Sequence, residues 1–222
     1  MARHFDKDLN LLKEKLALMA GFAMSNIYLS VKTLVERNDE KVAQINTQEQ
    51  RVNSLQIEID NFCLELIALH QPVAADLRLL ASAMKINAEL ERIADQTINL
   101  TQAALQLIRQ PQLKPLIDIP KMADMVQRMV KDALDGFVQK DSQLARDVLK
   151  RDDEVDELKN RCYEELLNLM SQEKESIPRG MQLIFVSRNL ERIADLATNI
   201  AEDVIYLVEG KDVRHHSEST QH

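Results

Sequence analysis

Leu90-Glu91-Arg92-Ile93-Ala94-Asp95 returns a hundred residues later as Leu190-Glu191-Arg192-Ile193-Ala194-Asp195, and Asn99 and Asn199 follow in register. Six identical residues at one place in two segments mark an internal duplication. Around the first copy Ile86, Leu90, Ile93, Thr97, Leu100, Ala104 and Leu107 recur at three- and four-residue spacing. Around the second, Leu183, Val186, Leu190, Ile193, Ala197, Ile200, Val204 and Leu207 do the same. That is the helical period, so the repeated segment is a long amphipathic helix present twice.

Working outward, each copy is preceded by two further helices. Leu9, Leu12, Leu16, Met19, Ala23, Ile27, Val31 and Leu34 form one stripe, which Asn38-Asp39 interrupts. Ile45, Val52, Leu55, Ile59, Phe62, Leu66 and Leu69 form the next, and it closes at His70-Gln71-Pro72, where proline cannot continue a helix. The third helix is expected from about Val73 to Arg109, a rod of roughly 55 Å that needs neighbours along its length. Pro111, Pro115 and Pro120 then punctuate a linker. Beyond it the order repeats, through Met122, Val126, Met129, Ala133 and Phe137, then through Val148, Val155, Leu158, Cys162 and Leu169. The second helices also align, Glu49-x-x-Val52-Asn53-x-Leu55 against Asp152-x-x-Val155-Asp156-x-Leu158. The reading is all-α: two tandem three-helix bundles, six long antiparallel helices in all. Residues 1–110 make the first repeat, 111–120 the linker, 121–210 the second repeat and 211–222 a polar tail, with Gly210 as the cap of the last helix.

Composition agrees with this class. The 222 residues include only 4 Gly, 5 Pro and 4% aromatics, while 45% hydrophobic content supports a core without covalent staples. A net charge of −8 argues against a sequence-independent grip on nucleic acid, which rests on Lys and Arg neutralising phosphates. The charged start, Met1-Ala-Arg-His-Phe5, lacks the apolar centre of a signal peptide, and no apolar run long enough to span a bilayer is expected. A cytoplasmic protein is expected. Cys63 and Cys162 lie far apart on apolar faces and read as reduced core thiols.

The chemistry-bearing residues are paired carboxylates. Side chains four apart on a helix stand one turn above each other, so Glu91 with Asp95, Glu191 with Asp195, and Asp152 with Asp156 are adjacent like charges. Each such pair opposes its helix by roughly 0.2–0.5 kcal/mol, and its duplication calls for something cationic to offset it. On a helical wheel Glu91 lies well to one side of the apolar stripe and Asp95 almost opposite, so the acids belong near the surface. Glu49 and Asn53 flank the stripe of the preceding helix in the same way. Four oxygen-bearing side chains from two helices are thus expected to converge in each half. Oxygen-only ligands suit hard cations such as magnesium, calcium, manganese or iron. The competing reading is a solvated acidic face, partly neutralised by neighbours such as Arg92 reaching Asp95.

Other features read as structure. Met19, Met24, Met84, Met122, Met125, Met129 and Met170 suit core filling. Lys150-Arg151-Asp152-Asp153-Glu154 reads in large part as an exposed face, and His215-His216 as tail. No histidine has the Glu-x-x-His spacing of a di-iron bundle, and no Gly-rich phosphate loop or nucleophile elbow is present. The expectation is a protein that is not an enzyme.

Taken together, the paired Leu-Glu-Arg-Ile-Ala-Asp segments, Gln71-Pro72-Val73-Ala74-Ala75-Asp76-Leu77-Arg78, and Asn199-Ile200-Ala201-Glu202 resemble the PhoU family over nearly the whole chain. The resemblance implies two three-helix bundles side by side, with multinuclear metal clusters of iron, manganese, magnesium or zinc held at surface motifs. By position those motifs are Glu49 with Asn53, Glu91 with Asp95, Asp152 with Asp156, and Glu191 with Asp195. Two departures stand out: Ala94 and Ala194 where the family commonly has Gly, and Asn53 where a carboxylate is often found. The neutral Asn53 leads to an expectation of weaker metal binding in the first half. The resemblance also implies a negative regulator of phosphate uptake and of the phosphate-starvation response. Its partners would be the ATPase of the high-affinity phosphate ABC transporter and a sensor histidine kinase, with membrane contact only through them, and it would form a homodimer. The alternatives are a carboxylate-bound metal-dependent enzyme, or an accessory protein of another phosphate or metal transporter.

Overall fold

The computed structural model describes residues 2–213, with the side chains of residues 2–4 left aside. Six α-helices occupy almost all of this span: α1 Ala2–Glu36, α2 Val42–His70, α3 Ala75–Ile108, α4 Asp118–Gln139, α5 Ser142–Gln172 and α6 Ile177–Glu209. One 3-10 turn, Lys174–Ser176, leads into α6. Strands are absent among the described residues. His215, His216 and most of the polar tail lie outside them.

The helix ends follow local chemistry. After α1, Arg37 turns left-handed (φ 54°) and Asn38 Oδ1 accepts from the Glu40 amide at 2.8 Å, so an Asx turn takes over from the helix. Gln71 caps α2 in the left-handed region, and its amide reaches the Ile67 carbonyl. Pro72 then excludes further helix, and Ala74, at φ 48°, carries backbone strain just before α3 begins. Asp141 caps α5 by accepting from the amides of Gln143 and Leu144 at 2.9 and 3.0 Å. Gly210, at φ 69°, ends α6 as its sequence position predicts. Pro120 lies in the first turn of α4, where a missing amide hydrogen costs no helical bond.

α3 and α6 form an antiparallel central pair. α1 and α2 pack on α3, α4 and α5 pack on α6, and α1 also packs directly on α4. The two repeats therefore share one continuous hydrophobic core. Thr97 faces inward as expected, and its carbonyl accepts from both Thr101 Oγ1 (2.7 Å) and Ser30 Oγ (3.3 Å), a polar tie between α3 and α1. Arg37 closes the other end of that interface by donating to the carbonyls of Ile108 and Gln110, which the end of α3 leaves without helical donors.

The register of the central pair explains the duplicated segment. Ser82 and Lys85 meet Asp203 at one end, and Gln106 shares a groove with Gln182 at the other. A pseudo-twofold exchange of the repeats maps one end onto the other and brings Ala94 level with Ala194. Both are fully buried, at 1% and 0% exposure. Small residues at the crossing let the two longest-buried helices approach closely.

Met19, Met122 and Met129 are completely buried, and Cys63 and Cys162 are free, buried thiols. Burial, with nearby Asp60 adding to it, pushes the Cys63 thiol up to about 12, which makes it inert. One sequence expectation needs correcting. Within Phe5–Glu36 an 18-residue window reaches a mean hydropathy of 1.3, enough by length and composition to cross a membrane. Its apolarity has a different cause, since α1 packs against α2, α3 and α4 and 56% of that window is buried inside the protein.

Candidate functional site

The duplicated acids sit where the helical period puts them. Glu91 is half-buried, Arg92 exposed, Ile93 and Ala94 buried and Asp95 exposed, and the same pattern recurs without change from Glu191 to Ile200. α3 and α6 thus present one acid at the edge of the apolar stripe and another one turn on, facing outward. α2 and α5 supply the opposing pairs, Glu49 with Asn53 and Asp152 with Asp156, all half-buried.

In each half the pairs approach across the helix–helix groove closely enough to feel one another. Burial pushes the Glu91 carboxyl above its ordinary range, with Asp95 on the same helix and Glu49 on α2 adding to the shift and Arg92 opposing it. Burial pushes Asp152 up to about 6, and Asp195, Asp156, Asp153 and Glu191 reinforce it. Asp195 is raised by burial first, then by Glu191 and Asp156, with Lys159 and Arg192 pulling the other way. Negative charge is therefore crowded at both sites.

The polar contacts differ between halves. In the first, Asn53 Nδ2 donates to Glu49 Oε1 at 2.5 Å. In the second, Lys159 Nζ bridges the helices, donating to Asp156 Oδ1 at 2.7 Å and to Glu191 Oε1 at 3.1 Å. Sequence reasoning missed Lys159. Its spacing from Asp156 shows the intrahelical half of the contact, but its reach to α6 depends on tertiary register. The neighbour expected to neutralise Asp95 does something else, since Arg92 pairs with Glu89 at 3.1 Å.

The first site opens into a groove of about 430 Å³ lined by Asn46, Glu49, Gln50, Asp95, Gln96, Ile98 and Asn99. Gln96 Oε1 is buried and has no hydrogen-bond partner. An orphaned acceptor beside crowded carboxylates, in a groove whose lining holds carboxylates and carboxamides but no histidine or cysteine, fits a hard cation in ligand type and in charge. As the side chains stand, no three His, Cys, Asp or Glu residues among those described close on one point as a preformed site would. Coordination would need rotamer changes in these partly exposed side chains, which their freedom on the surface permits.

Comparison with known proteins follows the same two-part division. The PhoU domain family matches residues 16–104 and again 119–204. The phosphate-specific transport system accessory protein PhoU homolog of Clostridium acetobutylicum is 37% identical over 211 residues, spanning 94% of this chain and 96% of that one. The protein of the same name from Aquifex aeolicus is 37% identical over 209 residues, spanning 94% and 95%. Among solved structures, PhoU from Pseudomonas aeruginosa superposes with a TM-score of 0.89 at 33% identity, covering 93% of this chain and all of that one. The phosphate transport system regulatory protein PhoU from Streptococcus pneumoniae gives 0.86 at 27% identity, covering 94% and 99%. Fold, duplication and full-length similarity agree, and the chain belongs to the PhoU family.

Proposed function

We propose that this protein is an accessory regulator of phosphate transport that acts as a cytoplasmic adaptor. It binds the ATPase of the high-affinity phosphate ABC transporter and a sensor histidine kinase, and it represses phosphate uptake and the phosphate-starvation response. The observation that carries this reading is the match of both repeats, end to end, to proteins named as accessory components of the phosphate-specific transport system. The function is one of binding rather than catalysis, and a homodimer is its working form.

The residues that would hold metal are Glu49, Asn53, Glu91 and Asp95 in the first half and Asp152, Asp156, Glu191 and Asp195 in the second. A hard cation bound there would supply neutralising charge. The protein's own contribution is to bring acids from two helices to one groove, so that occupancy would tie α2 to α3 and α5 to α6.

The test is affinity purification of the tagged full chain from phosphate-replete and phosphate-starved cells. Transporter ATPase and kinase should co-purify, and deletion should derepress starvation genes in replete medium. Failure to recover either partner in both conditions would overturn the adaptor reading. Elemental analysis of the purified protein and of Asp195→Ala tests the metal part separately. Hydrolysis of phosphate esters by the metal-loaded protein would favour a metal-dependent enzyme instead.

A further inference from the structure

The pseudo-twofold axis makes the two ends of the α3–α6 seam equivalent, yet the sequence has treated them differently. At one end Lys85 Nζ donates to Asp203 Oδ1 at 2.8 Å and lies 5.5 Å from the centre of the Tyr206 ring. Arg92 pairs with Glu89 nearby, and Ser82 Oγ donates to the Asp203 carbonyl at 3.4 Å. That end satisfies its own charges.

At the other end the matching positions hold Phe185 for Lys85, Ala103 for Asp203, Gln106 for Tyr206 and Asn189 for Glu89, while Arg192 is kept. Gln102 likewise replaces Glu202. Every acid of the closed end is gone and one cation remains. The lost side chains leave a groove of about 330 Å³ with Phe185 45% exposed at its wall. Asn189 ties its amide nitrogen back to the Phe185 carbonyl at 2.7 Å. The carboxamides of Asn99, Gln102, Gln106 and Gln182, and the Arg192 guanidinium, make no hydrogen bond or ion pair with other side chains among the described residues. Asp195, one turn from Arg192 on α6, feels its charge but does not pair with it.

We propose that this groove is a docking site for an extended, acidic segment of a protein partner. A carboxamide carries two donors and an acceptor, which is what a peptide backbone needs on each side. Arg192 takes a partner carboxylate in a geometry suited to bidentate pairing. Phe185 offers an apolar face to a neighbouring side chain. Charge selects the occupant. Unlike the grooves between α1 and α4, α2 and α3, and α4 and α5, this one has no acidic residue in its lining, on a chain whose net charge is −8. The partner supplies the carboxylates that the closed end supplies for itself.

The closed end also provides the test. Ala103→Asp with Phe185→Lys transplants its ion pair into the groove. Gln106→Tyr, at an exposed position, fills the groove by a second route if the first variant folds poorly. A random displayed peptide library is selected against the full chain with counter-selection on these variants, and the selected peptides are measured by fluorescence polarisation. The enriched peptides should combine Glu or Asp with an apolar residue. They should bind either filled variant about tenfold more weakly, and Arg192→Gln should cost a similar factor that disappears at high salt. Three results would each overturn the proposal: enrichment without acidic bias, equal binding to the filled variants, or no enrichment over them. A shift of the filled variants from dimer to monomer in sedimentation would assign the groove to a second copy instead, and competition by inorganic phosphate at equal concentration would assign it to a small anion.

Discussion

Across the α2–α3 face Glu49, Glu91 and Asp95 stand beside a neutral Asn53, with no lysine or arginine bonded to them among the described residues. Across the α5–α6 face stand four acids, Asp152, Asp156, Glu191 and Asp195, and Lys159 bonds to two of them, Asp156 and Glu191. The residue equivalent to Lys159 in the first half is Gln56. Three carboxylates without an internal cation therefore face four with one, and the two clusters carry the same formal charge. This changes the meaning of Asn53. Considered alone it makes the first site poorer in charge, but with Lys159 included the halves differ in composition and not in net charge. Any difference in metal affinity then comes from ligand count and from the need to displace a lysine, two effects of opposite direction.

The strongest test of the equivalence lies at the crossing of α3 and α6. If the pseudo-twofold relation holds, Ala94→Leu and Ala194→Leu each force the central helices apart and should destabilise by about 3 kcal/mol, the upper end of overpacking costs, and by equal amounts. Chemical denaturation of the two variants side by side checks this. A difference of more than about 1 kcal/mol between them would break the symmetry argument.

Next in size is Lys159→Met, which strips Asp156 and Glu191 of a shared cation while keeping the stem. We expect a loss of about 1–2 kcal/mol in chelated buffer, because both bonds are charge-assisted and partly buried. Millimolar manganese or magnesium should restore more stability to this variant than to the parent protein. Thermal melts with and without metal measure it, and an identical metal response in both proteins would show that the second cluster does not take up the cation.

Much of this organisation was legible in the chain. Apolar spacing around Leu90 and Leu190 specifies α3 and α6, and the wheel places Asp95 outward because the helical period is rigid. Pro72 marks a helix end because its ring and missing amide hydrogen exclude helix, and Gly210 marks another because it adopts the left-handed cap without strain. What escaped depends on rotamers or on register between distant segments. Arg92 has Glu89 and Asp95 equally within reach, and only packing selects Glu89. Lys159 meets Glu191 because α5 and α6 run antiparallel at one offset, which no local pattern encodes. The packing of α1 on α4, which merges the repeats into one core, is invisible for the same reason. Pro120 misleads in the other direction, since proline reads as a breaker but is at home in a first turn.

A third effect comes from pH. Asp152 has a folded-state pKa of about 6, above its ordinary value of 3.8. Below 3.8 it is protonated in both states and costs nothing. Between 3.8 and about 6 the unfolded chain releases this proton while the folded protein, with its other acids nearby, still holds it, so stability falls across that window and the penalty is complete above about 6. Asp152→Asn should therefore stabilise at pH 7.5 by about 1 kcal/mol, after allowance for solvent screening of a half-exposed group, and the gain should vanish by pH 4. Glu91→Gln should show the same sign. Urea unfolding across pH checks both, and a gain that grew towards acid would mean that the crowding is not the cause.

The smallest effect isolates the compositional difference itself. Asn53→Asp gives the first cluster the fourth acid of the second but no lysine, placing like charges at i and i+4 with Glu49 and removing the Asn53–Glu49 hydrogen bond. A loss of about 0.5–1 kcal/mol is expected. Gln56→Lys alone adds a cation on the same helix, three residues from position 53, and should be nearly neutral. The double variant rebuilds the second cluster in the first half. If Lys159 compensates Asp156 through proximity, the double-mutant cycle should recover about 0.5 kcal/mol beyond additivity, and the coupling should shrink in 1 M salt as screening takes over. Additive effects would mean that the lysine works only through the α5–α6 register, and the likeness of the two sites would then stop at their position on the helices.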